Sequence, residues 1–301
     1  VMALENNTEI EFSNPKVRFY DHVDHTFTIN LNSGESYIIG NSGVGIGKEC
    51  GETYKCMNDF NGTKISSNKD IAVNTGSIHG GHSTNANDAN RDIGLDQIVP
   101  VEYAGKEFIL IEGNGTSKNQ KNEVGIVVAT KANTTINVNG QTDNDNTYTL
   151  AKPGDYVIIP WQKYTNQNMY LKSDQDVFVY QTTAGSNSSV SPGMMFIPRL
   201  TEDATKDVII TGVSQIGSPT LYLVVKNGST TFINGVEIDD KQMYEHYGKQ
   251  WLAIEGNEQR GFNNKVKNIL ALNSLAKSKD TLVINLDSFA GIHHKFPWPK
   301  D

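Results

Sequence analysis

Two histidines set two glycines apart, His79-Gly80-Gly81-His82, precede Asp88, Asp92 and Asp96. Imidazole and carboxylate are the ligands a transition ion takes, so His79, His82, Asp88 and Asp92 form the chain's candidate metal or hydrolytic set. The glycines deny these histidines a rigid helical face, and any metal geometry would have to come from the fold; the competing reading is a polar exposed loop. Asp21-His22-Val23-Asp24-His25 is a second group of the same chemistry, and His293-His294 reads as a surface pair. Thr142-Asp143-Asn144-Asp145-Asn146 offers oxygen ligands of the kind calcium accepts, with Asp143 and Asp145 as the carboxylates. It lacks the Gly and terminal Glu of a helix-flanked calcium loop, and a hairpin turn rich in Asn and Asp for backbone reasons accounts for the same residues. No cofactor is expected, with calcium as the one ion the composition suits.

Other chemistries fail on spacing. Gly40-Asn41-Ser42-Gly43-Val44-Gly45-Ile46-Gly47-Lys48 imitates a phosphate loop, but Ser42 stands at the first Gly, Glu49 at the magnesium-binding hydroxyl, and no helix pattern follows. No Gly-x-Ser-x-Gly elbow is present, and neither cysteine sits in a protease-like context. Cys50 and Cys56 are close enough for a local disulfide, which would mark an oxidising compartment; free thiols are the alternative. The contact residues expected of a binder are aromatic: Trp161, Tyr164 and Tyr170 in a turn-rich stretch, and Trp298 near the end. Tyr170 reads equally as a core-strand residue and Trp298 as packing against the last unit.

These residues must be positioned by strands. Short alternating stretches such as Thr135-Ile136-Asn137-Val138-Asn139 and Tyr148-Thr149-Leu150 are bounded by Gly, Pro, Asn and Asp, which is the period of a half-buried strand. Asn139-Gly140 and Asn234-Gly235 mark tight hairpins. The net charge of -8 argues against nucleic acid, and no apolar run reaches the roughly 20 residues of a membrane span. The start at Val1, without a basic-then-apolar leader, suggests a segment of something larger.

The chain also repeats itself. Val1-Met2-Ala3 and Asn7-Thr8-Glu9-Ile10 answer to Val127-Val128-Ala129 and Asn133-Thr134-Thr135-Ile136. Leu31 to Ile39 answers to Leu150 to Ile159 with one residue inserted, and Ile65 to Val73 to Leu171 to Val179 without a gap. A weaker third copy runs from Leu221-Tyr222-Leu223-Val224-Val225 through Thr230 to Gly235 and closes at Ser278 to Ile284, with a short helix expected around Lys265 to Ala276. The expected fold is all-β: tandem sandwich-like units of about 105 residues, at 1–105, 106–200 and 201–301, with a propeller-like closure of the same strands as the alternative.

Asn90-Arg91-Asp92-Ile93-Gly94-Leu95-Asp96-Gln97-Ile98-Val99-Pro100-Val101, continuing through Gly105-Lys106-Glu107-Phe108-Ile109, resembles the N-terminal domain family of IgGFc-binding protein. Ser66 to Ser77 and Gly193-Met194-Met195-Phe196-Ile197-Pro198-Arg199-Leu200 carry the same resemblance, with Asp70 and Arg199 where the family commonly has Pro. Relatives of this kind include large surface proteins exported by the type IX system of gliding bacteria. The resemblance implies a secreted or cell-surface module that binds a glycoprotein, glycan or surface without catalysis. A structural stalk segment contacting neighbouring domains, and a metal-dependent or carbohydrate-active hydrolase, are the alternatives.

Overall fold

The computed structural model describes residues 1–17, 19, 22, 24–40, 60–80, 92–112, 123–165, 168–183, 193–200, 207–211, 222–226, 230–238, 243–246, 251–255 and 281–286. The fold is all-β. Among the described residues the helical pieces are two three-residue 3-10 turns, Val101–Tyr103 and Trp161–Lys163. The expected helix around Lys265 to Ala276 and the cysteines Cys50 and Cys56 lie outside the described residues.

The first seven strands are β1 (Met2–Ala3), β2 (Thr8–Ser13), β3 (Thr26–Leu31), β4 (Lys64–Ser67), β5 (Ile71–Ala72), β6 (Asn74–Gly80) and β7 (Asp92–Gln97). β2 lies between β3 and β4, β1 pairs with β5, and β6 with β7, all antiparallel. Alternation in β2 is strict: Ile10 and Phe12 are buried while Glu9 and Glu11 face water. Those inward residues join Val17 and Phe19 in one core, against which Phe27, Ile29, Phe60, Ile65 and Ile71 pack. The core is aromatic at its centre, with Phe12 stacked on Phe27 at 5.0 Å and Phe19 edge-on to Phe27 at 5.1 Å.

The next seven are β8 (Gly105–Ile111), β9 (Gly125–Ala129), β10 (Thr134–Val138), β11 (Thr147–Leu150), β12 (Tyr156–Ile159), β13 (Asn168–Thr183) and β14 (Gly193–Phe196). β13 is 16 residues long and its register shifts between Lys172 and Val177. Before that point it lies between β10 and β8; after it, between β9 and β14, with β12 beyond β9. One bent strand therefore serves two layers, and an aliphatic core closes between them from Phe108, Leu110, Val127, Ile136, Val138, Met169, Leu171 and Val179.

Beyond these come β15 (Asp207–Thr211), β16 (Tyr222–Lys226), β17 (Thr231–Ile233), β18 (Val236–Ile238), β19 (Met243–His246), β20 (Trp251–Glu255) and β21 (Thr281–Leu286). They form a sheet in the order β15-β21-β17-β18 and another in the order β16-β20-β19. Val224 of β16 packs with Ile109, Ile111 and Tyr170, which ties this part to the outer side of β8.

The sequence repeat is a repeat of hydrogen-bond register. Ile10 faces Ile29 and Ser67, and its counterpart Ile136 faces Tyr148 and Ser173. Met2 faces Ala72 as Val128 faces Phe178. The Glu9 N–H donates to Asn68 Oδ1 at 2.9 Å and the Thr135 N–H to Asp174 Oδ1 at 2.8 Å. The Ile98 N–H donates to the Val73 carbonyl and the Ile197 N–H to the Val179 carbonyl, both at 2.8 Å. Asn7 and Asn133 hold φ of 54° and 55°, and Gly34 and Gly154 both hold 81°.

The two copies touch where they differ in surroundings. A Cβ on Gly154 would lie 2.7 Å from the Gly62 carbonyl oxygen, whereas one on Gly34 would meet nothing within 4 Å. Beside this contact the Lys16 ammonium pairs with the Asp155 carboxylate and holds its pKa below the usual value. The matched glycines separate two costs. Gly34→Ala should lose about 1 kcal/mol, the left-handed backbone alone, whereas Gly154→Ala should lose upwards of about 2 kcal/mol, because main chain must move as well. Urea denaturation of the two variants checks this; equal losses would mean the copies do not press on each other there.

Candidate functional site

Tyr156 to Ile159 ends at Pro160, whose fixed φ and missing N–H start a 3-10 turn over Trp161–Lys163. A second turn, closing the hairpin from β10 to β11, runs alongside it. Asn139, at φ 54°, opens that second turn and welds the two together: its side-chain amide donates to the Lys163 carbonyl at 2.6 Å and to Thr165 Oγ1 at 3.3 Å, and its Oδ1 accepts from the Tyr170 N–H at 3.0 Å.

Lys163 completes the weld. Its ammonium donates to the Asp145 carbonyl at 2.7 Å and to Asn146 Oδ1 at 3.0 Å. The Asp143 carboxylate accepts from the main-chain N–H groups of Asp145 and Asn146 and from the Asn146 amide. These bonds, the Asn146 amide foremost, hold its pKa below the ordinary carboxylate value. The Asp143 carboxylate thus converges on the turn's own N–H groups, and the Asp145 carbonyl and the Asn146 amide oxygen on a lysine. Among the described residues no group of three or more His, Cys, Asp or Glu side chains is placed to hold a metal ion.

The aromatic candidates divide. Trp161 is half-buried on the welded turn. Tyr164, three residues on, turns inward against the aliphatic core. Its hydroxyl is buried without a hydrogen bond of good geometry, beside Gln181, whose amide is committed to the Ile111 carbonyl at 2.6 Å. Burial first, then the carboxylates of Glu123 and Glu112, push this phenol well above its ordinary pKa. Tyr170 takes the core-strand place that was its alternative: it is 8% exposed, and its neighbours are Ile109, Ile111 and Val224. Trp298 lies outside the described residues.

Of the histidine and aspartate loop, His82 and Asp88 also lie outside the described residues. The backbone places His79 at the end of β6 and Asp92 at the start of β7, where Gly80 faces Asp92 after a register shift. In the other histidine group, His22 stacks on Phe27 at 3.5 Å and bonds the Tyr37 hydroxyl at 3.0 Å, and His25 bonds the Val17 carbonyl at 2.7 Å. Both have structural partners.

The sequence reading missed the turn before β8. Pro100 starts it, Arg199 clamps it by donating to the carbonyls of Glu102 at 2.6 Å and Ala104 at 2.7 Å, and it leaves Val101 66% and Tyr103 54% exposed. The signal was present in Pro100-Val101-Glu102-Tyr103, where a Pro precedes a three-residue turn as it does in Pro160-Trp161-Gln162-Lys163. The two turns sit at opposite ends of β8, since Gly105 begins that strand and Ile111 faces Asn168 near the other turn.

Buried phenols set an alkaline limit on this site. Tyr180, 8% exposed, is pushed up to about 12 by burial and then by the Asp96 carboxylate, and burial and then Tyr170's neighbour Glu107 raise that phenol too. A phenol with a raised folded pKa keeps its proton where the unfolded chain has released it. Stability is then undiminished below about pH 10 and falls between about pH 10 and 12. Denaturation as a function of pH should show this fall, and Tyr180→Phe should reduce it by on the order of 2 kcal/mol; an unchanged slope would place the loss on other groups.

Among the described residues no helix is long and apolar enough to cross a membrane. No curated protein and no solved structure matches the chain. The family model described as IgGFc binding protein matches residues 1–276. With most of its 301 residues covered by that match, the chain belongs to the IgGFc-binding protein family.

Proposed function

We propose that this chain is an extracellular recognition module that binds a glycoprotein, glycan or surface without catalysis, through the loop end of the second sandwich. The observation that carries this reading is the welded pair of turns. Asn139 and Lys163 fix the turn just after Trp161 to the neighbouring turn by side-chain hydrogen bonds of 2.6–3.3 Å. A contact residue held in place before its partner arrives loses little conformational freedom on binding, and a half-buried tryptophan supplies rigid amphipathic area. Family membership supports the binding class, and it says nothing of the partner's identity.

The test is binding of the purified chain to immobilised immunoglobulin Fc fragment and to a mucin-type glycoprotein. Trp161→Ala should weaken binding at least tenfold, as expected for an anchor residue, and Lys163→Met should weaken it by releasing the turn. Tyr103→Ala, at the far end of β8, should leave it unchanged. Absence of binding to either probe, or equal effects of the Trp161 and Tyr103 variants, would remove this surface from consideration.

A further inference from the structure

Residues 196–200, at the end of β14, touch all three regions of the chain in turn. The Phe196 N–H donates to Asp96 Oδ2 of β7 at 2.6 Å, and the Ile197 N–H to the Val179 carbonyl of β13 at 2.8 Å. Arg199 reaches back to the connection between β7 and β8, where its Nη1 donates to the carbonyls of both Glu102 and Ala104. The Leu200 N–H then donates to the Glu107 carbonyl of β8 at 2.8 Å, and its side chain packs on the cluster that Ile109, Ile111 and Tyr170 form with Val224 of β16. Five residues thus engage the first copy, the second copy and the third region.

Arg199 is the position at which the repeat departs. Counting on from the matched Ile98 and Ile197, its counterpart in the first copy is Pro100, which has no donor and starts the very turn that Arg199 clamps. The seat is built for the arginine. Gly105 is buried, and a Cβ there would lie 2.3 Å from Arg199 Cβ and 2.7 Å from its Cδ, so any larger residue at 105 would lift the stem off the turn. The guanidinium makes its two hydrogen bonds of the stronger, charge-assisted kind.

We propose that residues 196–200 form a strap that couples the opening of the first copy to that of the second, with Arg199 as its tie. In an array of repeats, stability is the sum of each unit's own term and of terms between neighbours. The Arg199 bonds belong to the second kind, because they join the connection leaving β7 to the end of the second copy. Removing them lowers the cost of opening either copy. A residue that stabilised its own sandwich alone would lower one.

Two variants break the tie by opposite routes. Arg199→Met keeps an unbranched stem over Gly105 and removes the donors, whereas Gly105→Ala keeps the donors and denies the stem its seat. Native-state amide exchange, followed by NMR on the full chain, should be about fivefold or more faster in each variant, in β2 of the first copy as well as in β10 of the second. Val138→Ala, a core change away from the strap, should speed β10 and leave β2 unchanged. The proposal is overturned if the strap variants speed β10 alone or neither strand, or if Val138→Ala speeds β2 as much as they do. Should one strap variant fail to fold, the other decides. The readout needs no glycoprotein, so its result is independent of the Trp161 surface.

Discussion

Every main-chain polar group withdrawn from water needs a partner, and along a strand that partner comes chiefly from the strands beside it. β13 meets this demand along both of its edges. Its first half is held by β10 and β8 and its second by β9 and β14. The bend between Lys172 and Val177 lets one strand satisfy two layers, and the layers it joins enclose the aliphatic core. Tyr170 becomes a core residue because it lies on this strand. Trp161 stays accessible because it lies on the turn just upstream.

The same constraint explains why the repeat survives in register when so few side chains are shared. A slip of one residue would exchange the inner and outer faces of a strand, so Ile10 and Ile136 must face equivalent positions even though Phe12 has become Val138. The left-handed positions persist for a related reason: Asn7 and Asn133, or Gly34 and Gly154, occupy backbone conformations that most residues resist. Between these fixed points the chain is free to vary, and its candidate binding residues lie there.

This is also why the fold was more legible than the site. Alternation, Asn-Gly turns and the ordered repeat are local signals, and they gave an all-β chain and its matched segments. The weld between Asn139, Lys163 and Asn146 joins residues whose pairing depends on how two turns are brought side by side, which no local pattern encodes. By residue type Asp143 and Asp145 suit an ion site and a hairpin turn alike, because a turn that satisfies its own N–H groups uses the same residue types as a calcium loop. Tyr164 and Tyr170 looked alike in sequence, and only the bend of the chain at Pro160 and the start of β13 sends each inward by a different route.

The two matched sandwiches differ most in what fills them. Phe12, Phe19 and Phe27 interlock as rings in the first, whereas Ile136, Val138, Met169 and Leu171 fill the second. Tandem copies with interchangeable registers are prone to trade strands during folding, since each edge finds a well-matched ladder in its neighbour. Here a traded strand would bring Val138 where Phe12 belongs and leave a void, or force Phe12 into a space built for valine. The unlike volumes of the two interiors thus act as addresses, returning each strand to its own half of the molecule.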